Sequence, residues 1–206
     1  MAHRLHKGDL PDTLDLGAVV AIDSETMGLS IGRDRLCVVQ LSGGDGNAHL
    51  VQMPPPGRDG RLHAPNLERL LTDPTRLKLF HFARFDVAVL QHSLGVTTAP
   101  IYCTKIASKL VRTYTDRHGL KDLVRELIGV DLSKQQQSSD WGADALTEEQ
   151  IAYAASDVLY LHQIKARLDD MLRREGRTAL AEACFRFLPT RAALDIQGWP
   201  EDIFEH

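Results

Sequence analysis

The sequence contains little cysteine and no long hydrophobic run. Its three cysteines, Cys37, Cys103 and Cys184, lie far apart and form no CxxC pair. This argues against a disulfide framework and favours a reducing compartment. Residues 18–22 are typical of the longest apolar runs, whereas a membrane span requires ~20 residues. Residues 1–17 show no signal-peptide core. We therefore expect a cytoplasmic protein with no membrane segment.

The chain also lacks an excess of basic residues. Its 24 Lys and Arg residues and 28 Asp and Glu residues give a formal net charge of −4. A strongly basic chain would indicate long nucleic acid held through many phosphates. If this chain handles nucleic acid, we expect few phosphate contacts or the use of a metal ion. Its 206 residues, 43% apolar and 25% charged, indicate one globular domain that folds without a disulfide or metal.

Apolar runs and turn signals predict an α/β fold. Strands are expected within residues 15–22, with the apolar run 18–22 at the end, and over residues 35–42, 48–53, 77–82 and 100–103. Helices are expected over residues 66–71, 85–94, from 104 to about 111, 120–127, 147 to about 174 and 178–187. The hairpin strands come first, followed by strands that alternate with helices. This order favours a mixed sheet of five to six strands flanked by helices. The segment that begins at His3 is interpreted as a solvated terminus.

Acidic residues occur at three places where this fold would bring them together. Asp23 and Glu25, two positions apart at the end of a strand, point to one face. Asp86 opens a helix after another strand, where the helix dipole favours a carboxylate. Tyr153 and Asp157 share one face of the longest predicted helix. Each pattern alone is also typical of a solvated turn, an ordinary helix start or a helix interior.

The convergence of these four carboxylates predicts a metal site. Two unit charges ~4 Å apart repel each other by about 4 kcal/mol at an effective dielectric constant of ~20. Such a cluster stays ionised only when cations neutralise it. Oxygen ligands favour Mg²⁺ or Mn²⁺ over zinc. Two such ions ~3.5–4 Å apart promote in-line displacement at phosphorus.

The motifs Asp23-x-Glu25, Phe85-Asp86 and Tyr153-x-x-x-Asp157 occur in the order typical of one family. The sequence resembles the DEDD 3′–5′ exonucleases of the ribonuclease D group. One branch of that family has a His five residues before the last Asp. Ala152 occupies that position here, so the chain resembles the branch with Tyr, called DEDDy.

The resemblance implies a ribonuclease H-like DEDD exonuclease fold. Residues 1–206 are expected to form a single 3′–5′ exonuclease domain, with a catalytic core at about 16–175 and a C-terminal helix and tail at 176–206. The chain ends too soon after the last motif for the additional helical nucleic-acid-binding (HRDC) domains of full-length ribonuclease D. An interaction with a membrane is not expected.

Within this group, the short length, the strand at 33–40 and the tail at 187–204 are most similar to the nano-RNase C group. That similarity implies a bacterial enzyme that degrades short single-stranded RNA, down to dinucleotides, and assembles into a ring-shaped homo-octamer. DNA or structured RNA remains an alternative substrate, because the 2′-OH contacts that distinguish them are not visible in a sequence. A catalytically silent binding module is the least favoured alternative, because all five motif residues are present.

The resemblance implies a catalytic role for each of the five motif residues. The resemblance implies two divalent cations, Mg²⁺ or Mn²⁺. Asp23, Glu25 and Asp157 would bind the first, Asp23 would bridge to the second, and Asp86 would hold the second largely through water. Tyr153, whose ordinary pKa near 10 makes it a poor base at neutral pH, would orient the attacking water. The product would be a nucleoside 5′-monophosphate.

Four further residues are candidates for substrate binding. Leu29 matches the position at which relatives wedge an apolar side chain between the last two bases, although a core leucine is an equal alternative. Met27 replaces the second Thr of the D-x-E-T-T-G pattern common in relatives, which leaves a backbone contact with the 3′ nucleotide but no hydroxyl contact. Phe85 could stack on a base, and His81 could contact substrate. Both are more often core residues.

The polar segments offer weaker signals. Arg112 and Lys134 could contact phosphate but are more typical of ordinary surface charges. Trp141 is expected to pack its loop onto the core. Trp199 and Phe204 are expected to pack the C-terminal tail onto the protein.

Overall fold

A computed structural model describes residues 2–58, 60–132, 138–199, 201 and 203. Six strands are present: β1 (His3–Lys7), β2 (Val19–Thr26), β3 (Leu36–Ser42), β4 (Ala48–Gln52), β5 (Leu77–Phe80) and β6 (Ile101–Cys103). The helices are α1 (Pro65–Thr72), α2 (Ala83–Leu94), α3 (Thr104–Val111), α4 (Leu120–Ile128), α5 (Glu148–Leu159), α6 (Leu161–Arg174) and α7 (Thr178–Ile196).

The strands form a single mixed sheet in the order β1-β4-β3-β2-β5-β6. Strand β3 runs antiparallel to its neighbours β2 and β4, while β5 pairs in parallel with β2 and β6. Val20, Ala21 and Ile22 in β2 are fully buried, as expected for an apolar run in the middle of a sheet. The predicted mixed sheet flanked by helices is confirmed, with six strands.

Helices pack against the sheet and against one another. Helix α5 packs against β2, β3 and β4, while α2 packs against α7. Thr147 and Gln150 form the predicted capping box at the start of α5. Gly95 ends α2 with a left-handed φ of 75°, which a glycine adopts without a steric penalty. Within the described residues, no helix is long and apolar enough to cross a membrane.

The N-terminal segment is a strand, so its interpretation as a solvated terminus was wrong. Strand β1 pairs in parallel with β4, and Leu5 lies opposite Leu50. The five residues of β1 contain one apolar side chain, too few for a recognisable alternation. This strand forms because its backbone pairs with the edge of β4.

The single helix predicted over residues 147–174 is two helices. The chain turns at Tyr160, whose φ of −101° and ψ of −6° depart from helical values. Helix α5 lies on the sheet, whereas α6 packs against α3 and α4. The break allows both helices to bury their apolar faces, and it involves neither Gly nor Pro.

Helix α7 is longer than predicted. It continues through Pro189 to Ile196, whereas a proline normally interrupts a helix interior. Leu188 and Ala192 are buried on either side of the proline, so tertiary packing outweighs the lost hydrogen bond. Trp199 is 53% exposed, contrary to the expected packing of the tail, and Phe204 lies outside the described residues.

Candidate active site

Strand β2 supplies the first two carboxylates of the site. Asp23 lies opposite Gln40 and Glu25 opposite Val38 in the antiparallel pairing with β3. The Gln40 Nε2 donates a 3.1 Å hydrogen bond to the Asp23 Oδ2, which fixes the orientation of that carboxylate. Because side chains alternate along a strand, Asp23 and Glu25 lie on one face, as the sequence predicts.

Helix α5 brings a third carboxylate over the same face of the sheet. One oxygen from each of Asp23, Glu25 and Asp157 lies within 4.8 Å of the others. Asp157 sits in a helix that contacts β2 and β3, so its position depends on tertiary packing. The spacing of three acidic oxygens is that of ligands around one cation.

Helix α2 supplies the fourth carboxylate. Asp86 is 4% exposed, and the Ser24 hydroxyl donates a 2.6 Å hydrogen bond to its Oδ1. The corner that leads into α2 turns at Phe82, whose φ of 65° makes it the only non-glycine residue with a positive φ in the described part of the chain. Such strain persists only where surrounding contacts enforce it, and it is frequent at functional sites.

The four carboxyl groups destabilise each other's charged forms. Burial raises the pKa of Asp23 to about 7. Burial, together with the charges of Asp23, Asp157 and Asp86, raises the pKa of Glu25 to about 10. Burial and the charge of Asp23 also raise the pKa of both Asp86 and Asp157. The cluster therefore needs positive charge to be fully ionised.

The donor set fits hard divalent cations. Every ligand atom in the cluster is a carboxylate oxygen, and within the described residues no His or Cys joins it. Oxygen-only sites select Mg²⁺ or Mn²⁺ over softer ions. The predicted requirement for divalent cations is therefore supported by the chemistry of Asp23, Glu25, Asp86 and Asp157.

Tyr153 lies one helical turn before Asp157 in α5. Its ring centroid is 6.1 Å from that of Trp141, which is 3% exposed and packs its loop onto the core as expected. Burial and the nearby charges of Asp157 and Glu25 raise the pKa of Tyr153. The phenol is therefore neutral at physiological pH and is suited to donate a hydrogen bond rather than to act as a base.

Several apolar side chains that stand within four residues of Glu25 or Asp86 in the sequence are exposed. Leu29 is 84% exposed, Met27 60% and Phe82 46%. Leu29 is therefore not a core leucine. Together with the half-buried Phe85, Leu29 lines a groove of about 390 Å³. Large apolar groups left in water around a polar cleft are typical of a ligand-binding surface.

His81 and Arg112 have partners within the protein. The His81 Nδ1 lies 2.8 Å from the Thr104 Oγ1, and burial and the charge of Lys105 lower the pKa of His81 to about 3. This is the behaviour of a satisfied, neutral histidine. Arg112 is fully buried and forms an ion pair with Glu126, so its interpretation as a surface charge was wrong. Lys134 lies outside the described residues.

The comparisons with known proteins agree with this geometry. A family model described as 3′–5′ exonuclease matches residues 8–173. The chain belongs to the 3′–5′ exonuclease family. This exonuclease is 39% identical over 158 residues to ribonuclease D of Gluconacetobacter diazotrophicus, covering 77% of this chain but 39% of that protein. It thus spans about two fifths of that relative.

Solved structures match this exonuclease over its whole length. Brucella melitensis NrnC with bound Mg²⁺ is 55% identical, with a TM-score of 0.94 and coverage of 100% of both chains. Brucella melitensis NrnC bound to pGG is 56% identical, with a TM-score of 0.93 and coverage of 98% of both chains. The expected family and fold are confirmed, and the acidic cluster fits the expected divalent cations.

Two residues that support the carboxylates were not identified from the sequence. Ser24 bonds to Asp86, 62 positions away, and Gln40 bonds to Asp23 across the strand pair. Ser24 stands between two motif residues, which is a weak signal. Gln40 gives no sequence signal, because its role depends on the register of β2 with β3.

Proposed function

We propose that this exonuclease is a two-metal-ion 3′–5′ exoribonuclease that hydrolyses short RNA, down to dinucleotides, to nucleoside 5′-monophosphates. The observation that carries this proposal is the cluster of Asp23, Glu25 and Asp157, whose oxygens lie within 4.8 Å of one another. The similarity to NrnC bound to pGG over 98% of the chain supports a very short substrate.

The ligand roles follow from the positions of the carboxylates. Asp23, Glu25 and Asp157 would hold one cation. Asp23, on β2, and Asp86, on α2, would hold a second cation. Bound divalent cations lower the pKa of water and stabilise the attacking and leaving oxygens of an in-line displacement. Ser24 and Gln40 keep two of the carboxylates oriented through their hydrogen bonds.

Tyr153 would orient the water that attacks the last phosphodiester. Its neutral phenol can donate one hydrogen bond and accept another. Asp157 lies four residues further along α5, on the same face, so the hydroxyl is directed towards the acidic cluster. The leaving group is the 3′ oxygen of the preceding nucleotide, which leaves a nucleoside 5′-monophosphate.

The groove that Leu29 and Phe85 line would receive the bases. Leu29, Met27 and Phe85 present apolar surface, which binds the faces of any base without reading its sequence. His81 already bonds to Thr104 through its Nδ1, so it would not contact substrate through that atom. With a net charge of −4, the chain is suited to a substrate with few phosphates.

The assembly and the domain organisation are also proposals. We propose that the core at about 16–175 and the C-terminal part at 176–206 form one exonuclease domain, because α7 packs against α2, α3 and β6. A cytoplasmic homo-oligomer, in the form of an octameric ring, is consistent with the exposed Phe187 on α7. Light scattering of the purified chain tests the assembly.

Cleavage of 5′-labelled RNAs of two, seven and about twenty nucleotides with Mg²⁺ tests the function. We expect rapid loss of the dinucleotide, slower loss of the longest RNA, and no cleavage by Asp23→Ala. The ribonuclease D relatives favour a second candidate, the trimming of longer RNA or DNA. Stepwise trimming that leaves dinucleotides intact would support that candidate and contradict the short-RNA proposal. DNA oligonucleotides of the same lengths and sequences show whether the enzyme prefers ribose or deoxyribose substrates.

A further inference from the structure

The last turn of α7 reaches the substrate groove. Helix α7 lies outside residues 8–173, which the exonuclease family model matches. Nevertheless, Asp195 and Ile196, near its end, line the same groove as Leu29 and Phe85. The C-terminal helix therefore contributes part of the wall of the groove that Leu29 and Phe85 line.

A two-point ion pair connects this helix to the start of α2. The Arg84 Nε and Nη2 donate hydrogen bonds of 2.8 and 2.7 Å to the two oxygens of Asp195. The Asp195 side chain is 8% exposed and that of Arg84 is 40% exposed. Arg191 also donates a 2.9 Å bond to Asp195. A bidentate pair fixes orientation as well as distance.

The charged state of Asp195 is secured by these contacts. Burial acts to raise the pKa of Asp195, but hydrogen bonds from Arg84 and Arg191 outweigh burial, so the pKa is lowered. The carboxylate is therefore ionised over the whole physiological range. Its pairing with Arg84 does not depend on a change of pH in that range.

The ion pair between Arg84 and Asp195 holds the first turn of α2, which carries Asp86. Arg84 lies immediately before Phe85 and two residues before Asp86. The N-terminus of α2 has no side-chain capping hydrogen bond, and its N-cap residue, Phe82, has a left-handed backbone. A strained, uncapped helix start is held by tertiary contacts, and the ion pair with Asp195 is one contact that reaches it from α7.

We propose that Asp195 is a positioning residue for RNA binding, which acts through Arg84 to fix the groove wall formed by the first turn of α2. The inference rests on the proposed function, since it assigns a role to the groove as the site of RNA. Asp86 keeps its own bond from Ser24, so loss of Asp195 is expected to weaken RNA binding more than the chemical step.

A double-mutant cycle tests whether Asp195 acts through Arg84. We expect Asp195→Asn and Arg84→Gln each to raise KM for the dinucleotide about tenfold, with kcat within about threefold of the wild type. In the double variant, KM should rise no further, because the two residues form one unit. Asp195→Glu should recover most of the affinity.

The control is Asp170→Asn. This substitution removes an ion pair with Arg173 on the exposed face of α6, where Asp170 is 65% exposed, and should leave KM unchanged. Thermal unfolding of every variant shows whether the fold is intact. If Asp195→Asn unfolds, Arg84→Lys replaces it. This variant keeps the charge but loses the bidentate geometry, and it should also raise KM.

Two results would overturn the inference. One is a KM for Asp195→Asn, or for Arg84→Lys in its place, within twofold of the wild type. The other is a double variant in which the two effects multiply. A wild-type chain that cleaves only longer RNA or DNA contradicts the proposed short substrate alone, and the cycle is then measured on the substrate it cleaves. A wild-type chain inactive on every substrate contradicts both proposals.

Discussion

The Ser24 hydroxyl donates a 2.6 Å hydrogen bond to the Asp86 carboxylate, joining β2 to the first turn of α2. Both side chains are buried, so the bond is shielded from water. It is the direct contact by which the strand that carries Asp23 and Glu25 fixes the fourth carboxylate. The geometry of the acidic cluster therefore depends on a residue that binds no cation itself.

Ser24→Ala should weaken the use of Mg²⁺. Loss of a hydrogen bond to a metal-binding carboxylate typically lowers metal affinity or activity by ~10–100-fold. We expect the Mg²⁺ concentration for half-maximal cleavage to rise by that factor, with activity restored at saturating Mg²⁺. Ser42→Ala is the matched control, because its buried hydroxyl bonds to the Asn47 carbonyl. Equal Mg²⁺ dependence of the two variants would contradict a role for Ser24 in metal binding.

Asp157→Asn should abolish cleavage and leave the fold intact. The substitution removes a ligand and, at the same time, one of the buried charges that repel Asp23 and Glu25. We expect no detectable product and an unfolding temperature equal to or above that of the wild type, measured without divalent cations. Full activity in this variant would contradict the assignment of the metal site.

Tyr153→Phe should slow turnover by ~10²–10⁴-fold, the range for a positioned group that handles protons. The ring contact with Trp141 is retained, so the unfolding temperature should change little. Single-turnover cleavage of a dinucleotide measures the rate of the chemical step separately from substrate binding. If kcat is unchanged, Tyr153 contributes only packing.

Leu29→Ala should raise KM for short RNA. Leu29 is 84% exposed, so little stability is at risk, whereas removal of an apolar contact with a base is expected to weaken binding about tenfold. Leu180→Ala on α7, where Leu180 is 54% exposed, is the control. Equal KM values for both variants would show that Leu29 does not contact the bases.

The stacked pair His6 and His49 should make the protein sensitive to mild acid. Burial, followed by the charge of Arg4, lowers the pKa of His6. Burial, followed by the charge of His6, lowers the pKa of His49, against the opposing charge of Asp45. Because both histidines titrate lower in the folded than in the unfolded state, the contribution of this pair to stability is complete above pH ~6.5 and is lost as the pH decreases.

Urea unfolding between pH 7.5 and pH 5 measures this effect. The raised pKa values of the acidic cluster act in the opposite direction, so the effect of the histidine pair is measured as a difference between variants. We expect the urea midpoint of the wild type to fall relative to that of His49→Gln as the pH decreases. His3→Gln removes an exposed histidine from the same edge of the sheet and should retain the wild-type pH dependence. Identical curves for the wild type and His49→Gln would exclude the pair as the cause.

The features that the sequence predicts well are those with local causes. The capping box at Thr147 and the glycine that ends α2 depend on neighbouring residues. The convergence of Asp23 and Asp157 follows from the motifs and the expected sheet. By contrast, the continuation of α7 past Pro189 depends on which faces of separate elements meet in space.

The same distinction holds within the site. The carboxylates have motifs, but the partners that orient them do not. Gln40 is recognisable only from the register of β2 with β3, and Asp195 only from the packing of α7 on α2. Long-range contacts of this kind have no periodicity, so no pattern in the sequence indicates them.

The products formed from a 5′-phosphorylated dinucleotide such as pGG test the proposed short-RNA activity. We expect complete conversion to nucleoside 5′-monophosphate with Mg²⁺, no conversion with a chelator, and none by Asp23→Ala. Persistence of the dinucleotide under conditions in which longer RNA is shortened would contradict it, as would cleavage that survives removal of the divalent cation.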